Sequence, residues 1–170
     1  MEYLIFLRLI HIVCGVFWAG ATLYLAGFVA PAVRALGPDG SKFMQQLSKT
    51  NRLPLVMNIA GTLTVVGGIL LVYELSGGFQ PTWFGSNYGM VLSVGGVLAL
   101  IAYLIGLTVS LPTIYRMNAI GKILAASEAP PSVSQQQELQ KLRKKLFTAV
   151  NIVAVLLLLT VISMSIARYC

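Results

Sequence analysis

The sequence predicts an all-α fold, a bundle of four transmembrane helices with the N- and C-termini on the outer, periplasmic side. Of the 170 residues, 57% are hydrophobic and only 10% are charged, whereas a soluble domain carries about 25% charged residues. Four apolar stretches are each long enough to cross the roughly 30 Å of hydrocarbon in a bilayer. We expect one integral membrane domain, residues 1–170, because this length suits a single compact bundle.

The apolar stretches set the bounds of the predicted spans. The first stretch follows an acidic residue, Glu2, instead of a basic segment, and its apolar run is too long for a cleavable signal peptide. We therefore expect it to be retained as a transmembrane helix. The predicted spans are residues 3–29, 54–75, 88–114 and 147–167, and the loops predicted to be cytoplasmic are residues 30–53 and 115–146.

Each of these two loops contains a predicted helix. In the first loop, Asp39 or Ser41 is a suitable N-cap for a short helix. Its apolar face, formed by Phe43, Met44 and Leu47, predicts an amphipathic segment lying on the membrane surface.

The other loop is interrupted by Pro130 and Pro131. From Ser132 or Ser134 onward, the stretch QQQELQKLRKKL predicts a helix that continues directly into the fourth span.

The orientation follows from the distribution of basic residues. The second loop, SGGFQPTWFGSN, contains no charge, and loops rich in lysine and arginine stay in the cytoplasm. We therefore expect a multi-pass protein of the bacterial inner membrane that does not bind nucleic acid. The basic residues of the other two loops are Arg34, Lys42, Lys49, Arg52, Arg116, Lys122, Lys141, Arg143, Lys144 and Lys145.

The first and third spans end in similar sequences. Pro31-x-x-Arg34 follows the first span, and Pro112-x-x-x-Arg116 ends the third. LVMNIAG near the start of the second span is also similar to TAVNIVA at the start of the fourth. Either the two helix pairs arose by duplication, or apolar helices are alike by chance.

The polar and unusual residues of the first span share one helical face. At 100° per residue, they fall within a band about 80° wide. Ionisable residues within a span face the bundle interior or a cavity. We therefore predict an inward face that contains Arg8, His11, Gly15, Trp18 and Thr22.

Small residues of other helices lie at the predicted depth of His11. They are Gly67 and Gly68 on the second span and Gly95 and Gly96 on the third, and Thr160 to Ser163 of the fourth span share this level. Such glycines either allow helices to approach closely or leave a slot for a flat ring system beside the histidine.

Three interpretations of His11, the only histidine, remain open. The imidazole is hydrogen-bonded to a neighbour such as Thr160 or Ser163, or it binds haem iron or another metal, or it serves a quinone or a proton. For haem b, Met164 is the available second axial ligand. Copper bound by His11 and Cys14 would have too few ligands.

Charged residues near the outer surface fit a carboxylate-bearing ligand. Arg8 and Arg168 suit haem propionates. The alternative is that they are ordinary interfacial anchors, with Glu74 as a partner in an ion pair.

The run LRLIHI, followed by VFWAG and Pro31, resembles the first helix of a loose group of small bacterial membrane proteins. The group includes the membrane-bound protoporphyrinogen oxidases, the copper-resistance D-type proteins and four-span families without an assigned function. The resemblance covers residues 7–34 and implies a haem or porphyrin contact for His11. However, WFGSNYGMVL lacks the essential lysine of those oxidases, and the copper proteins have more histidines and methionines.

These observations lead to one main functional hypothesis. His11 would hold haem b or a porphyrin in a redox protein. Trp18 and the four glycines at the depth of His11 (Gly67, Gly68, Gly95 and Gly96) would complete the site. Membrane lipid and quinone are the expected partners, and a homo-oligomer fits as well. The alternative is a cofactor-free accessory or assembly subunit of a larger membrane complex, and a small transporter is a weaker alternative. Whether the protein is an enzyme stays open.

Overall fold

The computed structural model describes residues 2–127 and 130–170, and all regular elements within them are helical. Four helices are long and apolar enough to cross a membrane, which confirms the predicted all-α class and its four spanning helices. We number the helices in chain order. The long helices are α1 (Glu2–Leu36), α3 (Leu53–Leu75), α5 (Asn87–Ala126) and α6 (Val133–Tyr169), and the short helices are α2 (Pro38–Gln45) and α4 (Pro81–Phe84).

Three long helices extend beyond the predicted spans. With 40 residues, α5 is about 60 Å long, roughly twice the thickness of the hydrocarbon layer. At the start of α6, the Ser132 hydroxyl accepts a hydrogen bond from the Gln135 backbone N–H, and the Ser132 N–H donates to the Gln135 side chain. This capping box confirms the predicted helix that runs into the fourth span.

The N-cap predicted for α2 is wrong. The helix begins at Pro38, and Gly37 is its N-cap with φ of 56°. The chain reverses direction here between α1 and α2, and glycine adopts this left-handed conformation without steric cost. Asp39 pairs with Lys42 at 2.9 Å, and Ser41 donates to the Gly37 carbonyl.

Each of α1 and α5 contains a π-helical turn just before a proline. The turns are Leu25–Val29 and Gly106–Ser110, and Pro31 and Pro112 follow two residues later. Proline removes one backbone donor and crowds the carbonyl four residues earlier, and a local π adjustment re-satisfies the backbone within a membrane helix. The two helices therefore share a local distortion where their sequences are similar.

The long helices form two antiparallel pairs. α1 packs along α3, α5 packs along α6, and fewer contacts join the two pairs. The shared core is small because alanine occupies several of its positions. It consists of Trp18, Ala19, Ala60, Ala102, Val153 and Leu157.

The two ends of the bundle differ in character. The terminal end contains residues 2 and 170 together with α4, where Trp83 makes edge-to-face contacts with Phe84 and Tyr88. The basic end contains α2 and the extensions of α1, α5 and α6, with the ten basic residues of the two basic loops.

Candidate functional site

His11 is held by α3. Its Nδ1 lies 2.7 Å from the backbone carbonyl oxygen of Thr64. A carbonyl only accepts hydrogen bonds, so Nδ1 donates the proton of this bond, and Nε2 takes no part in it. The hydroxyls suggested as partners are engaged elsewhere, because Thr160 donates to Leu156 and Gly95 and Ser163 donates to Val91.

The paired glycines of α3 make room for His11 itself. A Cβ atom added to Gly68 would lie 2.9 Å from Cε1 of His11, and one added to Gly67 would lie 3.4 Å from its Cβ. On α5, a Cβ added to Gly95 would meet Met164 at 3.1 Å, whereas one added to Gly96 would meet no atom within 4 Å. At three of these four glycines, the space is therefore filled by side chains of a neighbouring helix.

The predicted inward face is only partly enclosed. Trp18 and Thr22 are buried, His11 and Gly15 are half-buried, and Arg8 is exposed. Along this face of α1, the exposure of the side chains therefore increases toward the terminal end.

The charged residues of the terminal end stay apart. Arg8, Glu74 and Arg168 are all exposed, and no ion pair within the described residues includes them. The Arg168 guanidinium instead lies 5.2 Å from the Tyr169 ring centroid.

The fit to haem is therefore incomplete. The hydrogen bond to Thr64 orients the imidazole, as a carbonyl partner does for the histidine ligands of many metal sites. However, Met164 packs against α5 while His11 packs against α3, and in residues 2–127 and 130–170 no group of three or more His, Cys, Asp or Glu can hold a metal ion.

A large cavity lies in the other half of the molecule. It has a volume of about 940 Å³ and a mainly apolar wall between the two helix pairs and α2, within the usual range of ligand pockets. Both π turns line it, through Leu25 and Val29 on α1 and Leu107 and Ser110 on α5. None of the residues at the level of His11 lines this cavity.

α2 and the π-helical turn Gln46–Thr50 that follows it line the cavity at the basic end. Met44 and Leu47, two residues of the predicted apolar face, line the cavity, whereas Phe43 is exposed. Part of the amphipathic face thus covers a space inside the protein.

Unpaired polar groups face this apolar space. Trp18 lines the cavity and is 6% exposed, and its indole N–H donates to no group of the described chain. Because no fully buried side-chain nitrogen or oxygen of that chain lacks a partner, the indole nitrogen keeps some accessible surface. The side-chain amide of Asn58, also in the wall, likewise has no partner among the described residues.

A hydrogen-bond chain fixes the aromatic wall around these groups. The Thr62 hydroxyl donates to the Asn58 carbonyl at 2.8 Å, so the Tyr103 hydroxyl donates to Thr62 at 2.7 Å. The Tyr103 ring meets Trp18 edge-to-face with centroids 6.2 Å apart. Gly61 permits this contact, because a Cβ there would lie 3.2 Å from Tyr103 and 3.3 Å from Trp18.

The mouth of the cavity is positively charged. Arg34, Arg143 and Lys144 line the cavity at the basic end, all three are exposed, and we call this part of the wall the mouth. The Arg34 guanidinium lies 3.6 Å from the Phe147 ring centroid, and Arg143 donates to the Ser41 hydroxyl at 3.0 Å.

No described carboxylate lines the cavity. The described acidic residues of the basic end, Asp39 and Glu138, pair with Lys42 and Arg116. The three cations at the mouth are therefore not neutralised by an acidic residue of the described chain.

Sequence reasoning placed the site at His11 and did not find the cavity. Two signals pointed to it. Pro31 and Pro112, which stand in similar sequences, follow the two π turns that line the cavity. The apolar residues Met44 and Leu47 line it near α2. Comparisons with protein-family models, with curated proteins and with solved structures find no match for this chain.

Proposed function

We propose that this protein binds a membrane-soluble amphiphile in the 940 Å³ cavity and acts as a lipid-binding membrane protein. The observation that carries the proposal is the nine-tenths-buried Trp18, whose indole N–H is accessible in an apolar wall and lacks a partner in the described chain. A polar donor left in an apolar space costs free energy unless something accepts its hydrogen bond. A ligand with an apolar body and a polar acceptor satisfies both requirements.

The proposal includes an orientation. With the basic end in the cytoplasm, both termini lie outside a bacterial inner membrane, and the cavity opens toward the cytoplasmic leaflet. The support is the distribution of charge. Of the twelve lysines and arginines, all but Arg8 and Arg168 lie in the two basic loops, and such loops stay in the cytoplasm.

Trp18 is a built-in reporter for the experiment. The chain has two tryptophans, and Trp83 lies at the other end of the bundle. The W83F variant is reconstituted in nanodiscs that contain a small fraction of lipids with brominated acyl chains, which quench tryptophan at short range. We expect saturable quenching of Trp18, since a bound chain must pass close to it.

Two variants control this experiment. Ala30 and Ser110 both line the cavity, and the Ser110 hydroxyl makes no hydrogen bond within the described chain. The variant W83F/A30F/S110F, in which two phenyl rings fill part of the cavity, should lose the saturable quenching while its helicity is unchanged. W18F reports background quenching at Trp83. Equal quenching of Trp18 with and without the two phenyl rings would refute the proposal.

A second candidate function is the binding of haem b through His11. The observation in its favour is the hydrogen bond from Nδ1 to Thr64, which leaves Nε2 as a possible ligand. Because side chains fill the space at Gly67, Gly68 and Gly95, a porphyrin would lie against the lipid-facing surface, with Arg8 and Arg168 as candidate partners for its carboxylates. Visible spectra of protein from haem-replete cells, with and without dithionite, test this. A Soret band that His11→Ala removes supports it, and absence of the band refutes it.

A further inference from the structure

We infer that the amphiphile is an anionic glycerophospholipid, with its phosphate at the mouth formed by Arg34, Arg143 and Lys144. The inference rests on the proposed function and names the class of ligand for the same cavity. Three exposed cations line the cavity at its basic end, and no described carboxylate shares the wall with them. Basic pockets between helices on the cytoplasmic side of a membrane suit anionic lipid headgroups.

The cations keep donors available for a phosphate. The Arg34 guanidinium carbon lies 3.6 Å from the Phe147 ring centroid, and its N–H groups donate to no atom of the described chain. Arg143 makes one hydrogen bond, to Ser41, and Lys144 makes none with the described residues. A planar guanidinium with five donors can therefore still bind phosphate oxygens.

The polar groups of the cavity wall follow one another along the bundle in the same order as the polar groups of a glycerophospholipid. Trp18 and Val153 belong to the same core cluster, and Arg143 lies ten residues before Val153 on α6. At 1.5 Å per residue, the separation along the helix is about 15 Å. Asn58 lies three residues before Gly61, which contacts Trp18, so its amide is about 5 Å nearer the mouth.

These positions assign a partner to each polar part of the lipid. The phosphate meets the cations at the mouth. The ester carbonyls, which follow the phosphate toward the chains, accept hydrogen bonds from the Asn58 amide and the Trp18 indole.

The experiment uses the W83F protein in nanodiscs of unlabelled phosphatidylcholine. A small fraction of brominated phosphatidylglycerol is compared with the same fraction of brominated phosphatidylcholine. We expect the anionic lipid to quench Trp18 at a much lower fraction. A cation near the membrane contributes about fivefold in affinity for an anionic lipid, so three contribute about 100-fold.

The variant R34Q/R143Q/K144Q should lose most of this preference while neutral lipid still quenches Trp18. The charge-matched control K49Q/K122Q/K145Q removes three cations of the basic end that do not line the cavity. It should stay within about threefold of the parent, because salt screens charges at a distance.

The outcomes separate this inference from the proposed function. Saturable quenching that is equal for both lipids, or equal losses in both triple variants, would overturn the anionic assignment and leave the lipid-binding function intact. No saturable quenching by either lipid would overturn both. Displacement of the lipid by glycerol 3-phosphate at equal affinity would show that chains are not needed, and would also overturn the assignment.

Discussion

Replacing Gly68 with alanine places a methyl group against the His11 ring. The added Cβ would lie 2.9 Å from Cε1 and 3.1 Å from Nδ1, whereas carbon atoms in good contact are about 3.5–4.0 Å apart. The ring must therefore shift by roughly 0.6 Å or more, and its 2.7 Å bond to the Thr64 carbonyl stretches beyond good geometry. Gly96, with no atom within 4 Å of its added Cβ, is the matched control on α5.

The expected free-energy changes have opposite signs at the two sites. A weakened hydrogen bond costs about 1 kcal/mol, and forcing atoms into a packed site costs about 1–3 kcal/mol. Alanine in place of glycine within a helix gains about 0.8–1 kcal/mol. G68A should therefore lower the free energy of unfolding by about 1–3 kcal/mol, and G96A should raise it by about 0.8–1 kcal/mol.

The assay is reversible unfolding by SDS in mixed micelles, followed by helicity. A second variant tests the cause, because H11A removes the ring that the new methyl group meets. In the H11A background, G68A should become stabilising like G96A, which corresponds to a coupling energy of about 2–4 kcal/mol. If G68A and G96A shift the transition equally, or if the cost of G68A persists without the imidazole, the reasoning about this contact is wrong.

Three further predictions concern a cap, a side-chain bond and the topology. Ser132→Ala removes the capping box and should destabilise the start of α6 by about 1 kcal/mol, seen as faster amide hydrogen exchange in its first turns. The exposed Gln137 supplies the control, Gln137→Ala, and equal exchange in the two variants would contradict the role of the cap. Tyr103→Phe removes the hydrogen bond to Thr62 but keeps the ring, so unfolding in SDS should show a loss of about 0.6 kcal/mol, near the average for such bonds in membranes; no loss would mean that this bond does not contribute to stability. Cys170 is exposed and lies outside in the proposed orientation. In the C14S variant it should therefore react with a membrane-impermeant maleimide in intact cells. Labelling only after permeabilisation would show that the orientation is the opposite of the proposed one.

Much of the helical architecture is encoded in local sequence. The four spans follow from runs of apolar residues, because a chain in hydrocarbon must satisfy its backbone hydrogen bonds internally and forms helices. The start of α6 follows from Ser132 and the glutamine three residues later, which satisfy free N–H groups of the first turn. The start of α2 was missed because the reversal at Gly37 depends on how α2 folds back on α1.

The sequence by itself determined that this protein is an all-α bundle with four membrane-length helices, since composition and hydropathy act residue by residue along the chain. It also identified His11 as an unusual residue, but its partner is a backbone carbonyl of α3, and any residue could supply that group. Only the tertiary structure decided what the glycines do and where the cavity lies. Both depend on the distance between helices, which is set by side chains far apart in the chain. The space beside Gly68 is occupied by the His11 ring. The two π turns line a cavity whose mouth is formed by Arg34, Arg143 and Lys144.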